Sequence, residues 1–284
     1  MTDFPDPGHT ALYLYGVVPS VDADGEPLVA AARGLDGANV HVVTSRDIGV
    51  VTHVCAPVPY EGDVAQVHAW VLAQHEVVTS ARAQAGTILP IRFNSIVAAT
   101  DSPAAQVLID WLDQSHDQLA ARLDELRDRV ELGVQVFAER ASPGVPASPA
   151  TAPARGRAYF QAQLGQRQEK ERVRANEALI ASSVFGELAA LSEGIVVNPK
   201  RPQREGNDTA GSAHTAAQML LDVALLALPD QVGPIGEYLA GIASPPELTL
   251  RFTGPWPPYA FTGAFDMPLL VPEASDAIHQ QGST

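Results

Sequence analysis

The sequence predicts an α+β protein of two domains. Short runs of β-branched and aromatic residues alternate with amphipathic helical stretches, and the strands at 40–44 and 48–54 are separated by a three-residue turn typical of antiparallel pairing. The 284-residue chain is longer than a usual single domain, and a Pro/Ala-rich stretch interrupts it. We expect four segments: an N-terminal α+β domain at 1–140, a linker at 141–154, a smaller C-terminal α+β domain at 155–262 and a mobile tail at 263–284.

The N-terminal domain has an element order that favours a ferredoxin-like antiparallel sheet with helices on one face. The predicted strands are 11–18, 40–44, 48–54, 87–93 and 133–137. Asp63 caps the first helix, which Gly86 ends, and Ser102 before Pro103 begins the second. The second helix has an apolar stripe, formed by Leu108, Trp111, Leu112, Leu119, Leu123, Leu126 and Val130. Pro90 places its strand at an edge.

The C-terminal domain begins with a long helix from Arg157 to Leu191. The middle of this helix, 165–172, has no apolar residue, so it should project into water, and an apolar stripe returns in its last turns. A strand at 194–198, a helix at 235–242 and a strand at 247–252 follow. The apolar run 216–228 is compatible with a helix or a strand.

Composition narrows the classes of function. The net charge is −15 with a pI near 4.8, which disfavours nucleic acid as a partner. No apolar run is long enough for a membrane span, and the acidic N-terminus does not resemble a signal peptide, so we expect a soluble, cytoplasmic protein. Cys55, the single cysteine, follows an apolar run and is expected to be a buried, inert thiol.

One segment is basic. Residues 155–204 contain nine basic and five acidic residues, which gives +4 and leaves −19 for the rest of the chain. A basic region on an acidic protein is a candidate contact surface, whereas the alternative is an ordinary solvated helix face. The candidate protein-contact residues here are Arg167, Lys170, Arg172 and Arg174.

The sequence offers no catalytic or metal-binding constellation. It has no phosphate loop, dinucleotide turn or nucleophile elbow. His68 and His75 lie two helical turns apart, about 10 Å, which is too far for one metal ion, so we expect core-facing histidines bonded to backbone carbonyls. The acidic stretch 22–26 lacks the full ligand set of a calcium loop. We predict no enzyme activity, no cofactor and no metal.

The most unusual segment is Gly254-Pro-Trp-Pro-Pro-Tyr-Ala-Phe261. Its three prolines fix the backbone, so the strand before them is expected to end at Phe252. Trp256, Tyr259 and Phe261 then project from a rigid segment, where they either contact a partner or seal the core. Trp256 and Tyr259 are the further candidate protein-contact residues.

This segment resembles the GvpF/GvpL family of gas vesicle proteins, whose last strand typically ends in Gly-Pro-Trp-Pro-Pro-Tyr-x-Phe. Three other places agree: Leu12–Val18 as the opening strand, the helix of His75 with the Leu-Pro-x-Arg-Phe strand, and Gly156–Phe160 at the start of the long helix. The matching motif positions are His75, Pro90, Arg92, Phe93, Tyr159, Gly254, Pro255, Trp256, Pro257, Pro258, Tyr259 and Phe261. The chain departs from the family at Asn94 and Ser95, where Gly-Thr is usual.

The resemblance implies a role in gas vesicle formation, as a minor vesicle component or an assembly factor. Such a protein would bind the small hydrophobic shell protein GvpA, limit its aggregation during nucleation and contact other gas vesicle accessory proteins. The resemblance also implies a strand at 216–228. The alternative is a regulatory protein that binds a small ligand, or an enzyme, with its site at the domain interface.

Overall fold

The computed structural model describes residues 11–22, 24–28, 32–139, 157–198, 217–243 and 248–269. It divides the chain into two compact units. The first unit combines Met1–Val130 with Trp256–Thr284, and the second is Glu131–Pro255. The predicted linker, 141–154, lies outside the described residues. No helix in the described part is both long and apolar enough to cross a bilayer.

The first unit contains an antiparallel sheet with the strand order β2-β3-β1-β4, and β5 also pairs with β1. The strands are β1 Ala11–Pro19, β2 His41–Ser45, β3 Ile48–Cys55, β4 Leu89–Pro90 and β5 Ile96–Ala98. This is the strand order of a ferredoxin-like sheet, and β4 with Pro90 lies at its edge as predicted. The single predicted strand 87–93 is shorter, because the chain turns at Phe93 and Asn94 before β5.

Helix α1, Val64–Ala85, begins and ends as its sequence predicts. The Asp63 carboxylate accepts a hydrogen bond from the backbone N–H of Gln66 at 2.8 Å, and Gly86 closes the helix with a φ of 75°. Its buried side carries Trp70, Gln74, Val77, Val78, Ala81 and Ala85. These side chains face a core that includes Tyr13 and Tyr15 of β1.

Helix α2, Ala104–Glu125, covers the other face of the sheet. Every residue of β1 from Ala11 to Val18 is buried, so both faces of this strand are covered. Because α2 packs on β1, β2, β3 and β5 while its buried residues lie outside the core of α1, the sheet lies between the two helices. The prediction of helices on one face was wrong in this respect. Pro103, not Ser102, is the N-cap residue, but the apolar stripe is buried as predicted.

The second unit contains a sheet with the order β7-β8-β6-β9. Its strands are β6 Val130–Glu139, β7 Gly194–Val197, β8 Ala217–Ala227 and β9 Leu248–Trp256, and its helices are α3 Arg157–Leu191 and α4 Val232–Ile242. Strand β8 resolves the ambiguous run in favour of a strand. The predicted domain boundary at 140 differs from this division, because β6 pairs with β8 and β9 rather than with the first sheet.

Strand β9 continues through Gly254 and Pro255 to Trp256, so the prediction that it ends at Phe252 was wrong. It is the last strand of its sheet, and an edge strand tolerates proline because one side of its backbone has no partner. Gly254 has a φ of 114°, and a Cβ atom there would lie 2.7 Å from the carbonyl oxygen of Glu131. Only glycine fits this position without strain.

Candidate functional site

The rigid segment that follows β9 is partly buried and partly exposed. Pro257, Pro258 and Phe261 are buried within the described residues, and the Arg122 guanidinium of α2 donates a hydrogen bond to the carbonyl oxygen of Phe261. Trp256 and Tyr259 remain exposed. The motif therefore combines an anchored backbone with two exposed aromatic residues, and the core-sealing role applies to Phe261.

The chain that follows this motif also contacts helix α2. The indole N–H of Trp111 in α2 donates a hydrogen bond to the carbonyl oxygen of Asp266 at 2.9 Å. The predicted mobile tail, 263–284, is therefore anchored to α2 at Asp266. Residues 270–284 lie outside the described residues.

Trp256 contacts His75, and both occupy positions of the family motif. Their rings form an edge-to-face pair with centroids 5.2 Å apart and an interplanar angle of 75°. His75 is half-buried and His68 is exposed, so the prediction of core-facing histidines was wrong. The physical reason is that the core side of α1 centres on Gln74, Val77 and Val78, and both histidines lie at its flank.

Two exposed aliphatic side chains precede His75 on α1. Val71 and Leu72 lie one turn before His75 and are 45% and 55% exposed, and Trp256 itself is 41% exposed. We call these four residues the Trp256 patch: Val71, Leu72, His75 and Trp256. Exposed tryptophan and aliphatic side chains are typical of surfaces that contact other proteins.

The other motif positions of the first unit have structural roles. Pro90 is buried and pairs with Gly16, and Phe93 packs on the core with its ring 6.3 Å from that of Tyr13. Arg92 is exposed. Asn94 has a φ of 66°, the left-handed conformation that glycine and asparagine adopt most readily, which explains how it replaces the glycine usual in the family. Tyr159 lies in α3, and its side chain is outside the described part.

The basic candidates lie on an exposed half of helix α3. Every residue of α3 from 163 to 176 is exposed, which confirms that this stretch projects into water. Arg172 forms an ion pair with Glu169 at 2.8 Å. Arg167, Lys170 and Arg174 recur at helical spacing on one side of the helix.

A buried tyrosine–histidine cluster was not predicted from the sequence. The Tyr15 hydroxyl lies 2.8 Å from Nδ1 of His53, and Nε2 of the same ring lies 3.0 Å from the Tyr60 hydroxyl. The Tyr13 hydroxyl donates to Gln74 of α1 at 2.5 Å. These contacts connect β1, β3, α1 and the loop before α1. The only sequence signal was the alternation of Tyr13 and Tyr15 along β1.

Burial sets the protonation states in this cluster. It lowers the pKa of His53 to about 4, with the neighbouring His41 acting in the same direction, so the imidazole is neutral near pH 7. Burial raises the pKa of Tyr60 to about 12 and that of Cys55 to about 12. Cys55 was predicted to be a buried, inert thiol; it is half-buried, and its raised pKa keeps it protonated near pH 7. The cluster therefore consists of neutral groups that satisfy one another, a structural rather than a reactive arrangement.

Among the described residues, no group of three His, Cys, Asp or Glu side chains could hold a metal ion. The fold and its surface thus define a class: an α+β protein with an exposed aromatic–apolar patch of the kind that other proteins contact. Comparison with known proteins identifies the family. A family model described as gas vesicle synthesis protein GvpL/GvpF matches residues 11–263. The chain belongs to this family, whose members take part in gas vesicle formation.

Comparisons with individual relatives agree with this family assignment. The chain is 29% identical over 259 residues to gas vesicle protein L2 of Halobacterium salinarum, covering 88% of this chain and 90% of that protein. It is 26% identical to gas vesicle protein L of Haloferax mediterranei, covering 81% and 73%. The crystal structure of GvpF from Anabaena sp. PCC7120 shares the fold, with a TM-score of 0.64, 19% identity and coverage of 91% of this chain and 98% of that one. GvpF from Microcystis aeruginosa gives a TM-score of 0.61 at 18% identity, covering 89% and 99%.

Proposed function

We propose that this protein binds the hydrophobic gas vesicle shell protein GvpA through the Trp256 patch and limits its aggregation while vesicles form. Family membership supports a role in vesicle formation. The observation that supports the Trp256 patch as the contact surface is the exposed Trp256, whose ring lies against His75. An apolar subunit is best covered by an apolar surface, because burial of that surface drives association.

The backbone around Trp256 is suited to this role. The buried Pro257, Pro258 and Phe261 hold the segment in one conformation, so little entropy is lost when the ring of Trp256 meets a partner. Tryptophan is enriched among the residues that contribute most to binding at protein interfaces. The aliphatic Val71 and Leu72 extend the contact area along α1.

The charge of the chain supports the proposal that it limits the aggregation of GvpA. A net charge of −15 gives the chain a strongly hydrated, charged surface, which favours solubility. A shell subunit whose apolar face is covered by such a chain has less free surface for self-association.

Co-expression with GvpA tests the contact. We expect wild-type protein to co-purify with GvpA and Trp256→Ala to retain about tenfold less, because a central tryptophan typically contributes at least ~1–2 kcal/mol. Leu179→Ala is the matched control, since Leu179 is also an exposed apolar side chain, located on α3. Equal retention by wild type and Trp256→Ala would exclude the Trp256 patch as the contact.

The basic helix half is the alternative contact. A variant with Arg167, Lys170, Arg172 and Arg174 all changed to Glu separates the two surfaces. We expect it to retain GvpA fully, because these side chains project from a helix half without an apolar face. Loss of GvpA from this variant, with Trp256→Ala unaffected, would move the contact to α3.

A further inference from the structure

We propose that copies of this chain associate head to tail, with a basic stripe on α3 of one copy docking on an acidic stripe on α2 of the next. The basic stripe consists of Arg167, Lys170 and Arg174, and the acidic stripe consists of Asp110, Asp113 and Asp117. This inference does not depend on the proposed binding of GvpA.

The basic stripe lies on one side of an exposed helix. Arg167, Lys170 and Arg174 follow i, i+3, i+7 spacing, which places them above one another on a single face. All three are exposed, as is the whole of residues 163–176. Two acidic residues lie close to the stripe. Glu169 forms an ion pair with Arg172, and Glu171 borders the stripe.

The acidic stripe has the same spacing on the outer side of α2. Asp110, Asp113 and Asp117 are exposed and lie opposite the buried apolar stripe. From Ala104 to Ala121 the helix contains no Lys or Arg, so its own sequence leaves the negative charge uncompensated.

Neighbouring side chains form hydrogen bonds and ion pairs with the acidic stripe. Asp113 accepts a hydrogen bond from Ser45 at 2.5 Å and lies 3.3 Å from Arg46, both in the β2–β3 hairpin. His116 lies between Asp47 at 2.5 Å and Asp117 at 3.0 Å. Asp110 accepts a hydrogen bond from Gln106 at 2.8 Å. Arg46 of the hairpin thus compensates Asp113 at the centre of the stripe, and His116 lies beside Asp117 at one end.

The two stripes complement each other residue for residue. Each extends about 10 Å along its helix, so two parallel helices bring three cations opposite three carboxylates. A second copy is the occupant that the molecule itself provides, because both stripes are present on every chain. The two surfaces differ, so the interface is heterologous and repeats from copy to copy as a chain or a ring. Exposed ion pairs are individually weak and are screened by salt. The association is therefore weak and disappears at high ionic strength.

Sedimentation velocity on the full chain, with two charge-reversal variants, tests this inference. The first variant is Arg167→Glu with Arg174→Glu, and the second is Asp110→Lys with Asp117→Lys. Both leave Lys170 and Asp113 unchanged, since Asp113 also holds the hairpin. We expect wild type to associate at about 20 mM salt and to dissociate at about 500 mM. Each variant alone should sediment as a monomer in both conditions.

A mixture of the two variants provides the decisive test. In an equimolar mixture the acidic α3 of the first variant faces the basic α2 of the second, and the reverse pair is also complementary, so we expect association at low salt to return. Circular dichroism and urea unfolding establish that both variants are folded. The inference is overturned if wild type is monomeric at low salt, if either variant associates as wild type does, or if two folded variants fail to associate when mixed.

Discussion

At the residue scale, Trp256 and His75 show how a sequence motif separates into structural and exposed positions. Pro257, Pro258 and Phe261 are buried, whereas the ring of Trp256 lies on the surface against His75. Proline geometry predicts a rigid segment, but rigidity alone does not determine which rings face solvent. That depends on where α1 and α2 meet the segment, and these helices are more than a hundred residues earlier in the chain.

The tyrosine–histidine cluster could not be predicted for a similar reason. Tyr15 and His53 are 38 residues apart, and they meet only because β1 and β3 pair with the observed register. Alternation along β1 predicts that Tyr13 and Tyr15 share a face. It does not indicate that His53, on another strand, lies within hydrogen-bond distance of the hydroxyl groups of Tyr15 and Tyr60.

The His53 pKa predicts how stability depends on pH. The folded-state pKa of His53, about 4, is below its ordinary value of 6.5, so the unfolded chain binds a proton that the folded chain excludes. The contribution of His53 is fully present above pH 6.5 and is lost as the pH falls toward 4, by at most about 3 kcal/mol. Urea unfolding at several pH values, with His53→Gln as the comparison, measures this. The stability difference between wild type and variant should narrow below pH 6.5, and a difference independent of pH would contradict the prediction.

Gly254 gives a second prediction at this scale. Gly254→Ala would place a Cβ 2.7 Å from the Glu131 carbonyl oxygen at a φ of 114°, and we expect a loss of about 2–4 kcal/mol in the free energy of unfolding. Gly165→Ala is the matched control, because that glycine lies in exposed α3 with no atom near its Cβ position. The control should be neutral or stabilising by up to about 1 kcal/mol. Equal stability of the two variants would show that Gly254 is not sterically required.

At the element scale, local chemistry fixes where helices begin and end. Asp63 and Gly86 bound α1 in the sequence and in the structure, because a capping carboxylate and a left-handed glycine act within one helical turn. Strand pairing is different. Strand β6 is evident from its alternating residues, but its place in the second sheet depends on strands about 80 to 120 residues later, which local patterns do not reveal.

The cap of α1 can be tested directly. Asp63→Ala removes the acceptor for the Gln66 N–H and should lower the free energy of unfolding by about 1 kcal/mol. Asp63→Asn retains an acceptor and should cost much less. Thermal unfolding of the two variants compares them, and equal losses would indicate that the hydrogen bond of the cap contributes nothing.

At the scale of the whole molecule, an acidic chain presents two distinct surfaces, the apolar Trp256 patch and the basic stripe of α3. Composition predicts the acidity and the basic segment, since these follow from counting residues. The Trp256 patch could be predicted only in part, from its tryptophan, because local patterns do not reveal that Trp256 meets His75 of α1, one turn after Val71 and Leu72. We propose that the apolar patch binds the shell protein, and that the basic stripe binds the next copy.

The central claim is that this chain keeps GvpA from aggregating. The most direct measurement is the fraction of GvpA that remains in the supernatant after sedimentation, with purified protein added at increasing molar ratios. We predict that soluble GvpA rises with added wild-type protein to a plateau, and rises much less with Trp256→Ala. An equal amount of sedimented GvpA with and without the wild-type chain would contradict the account.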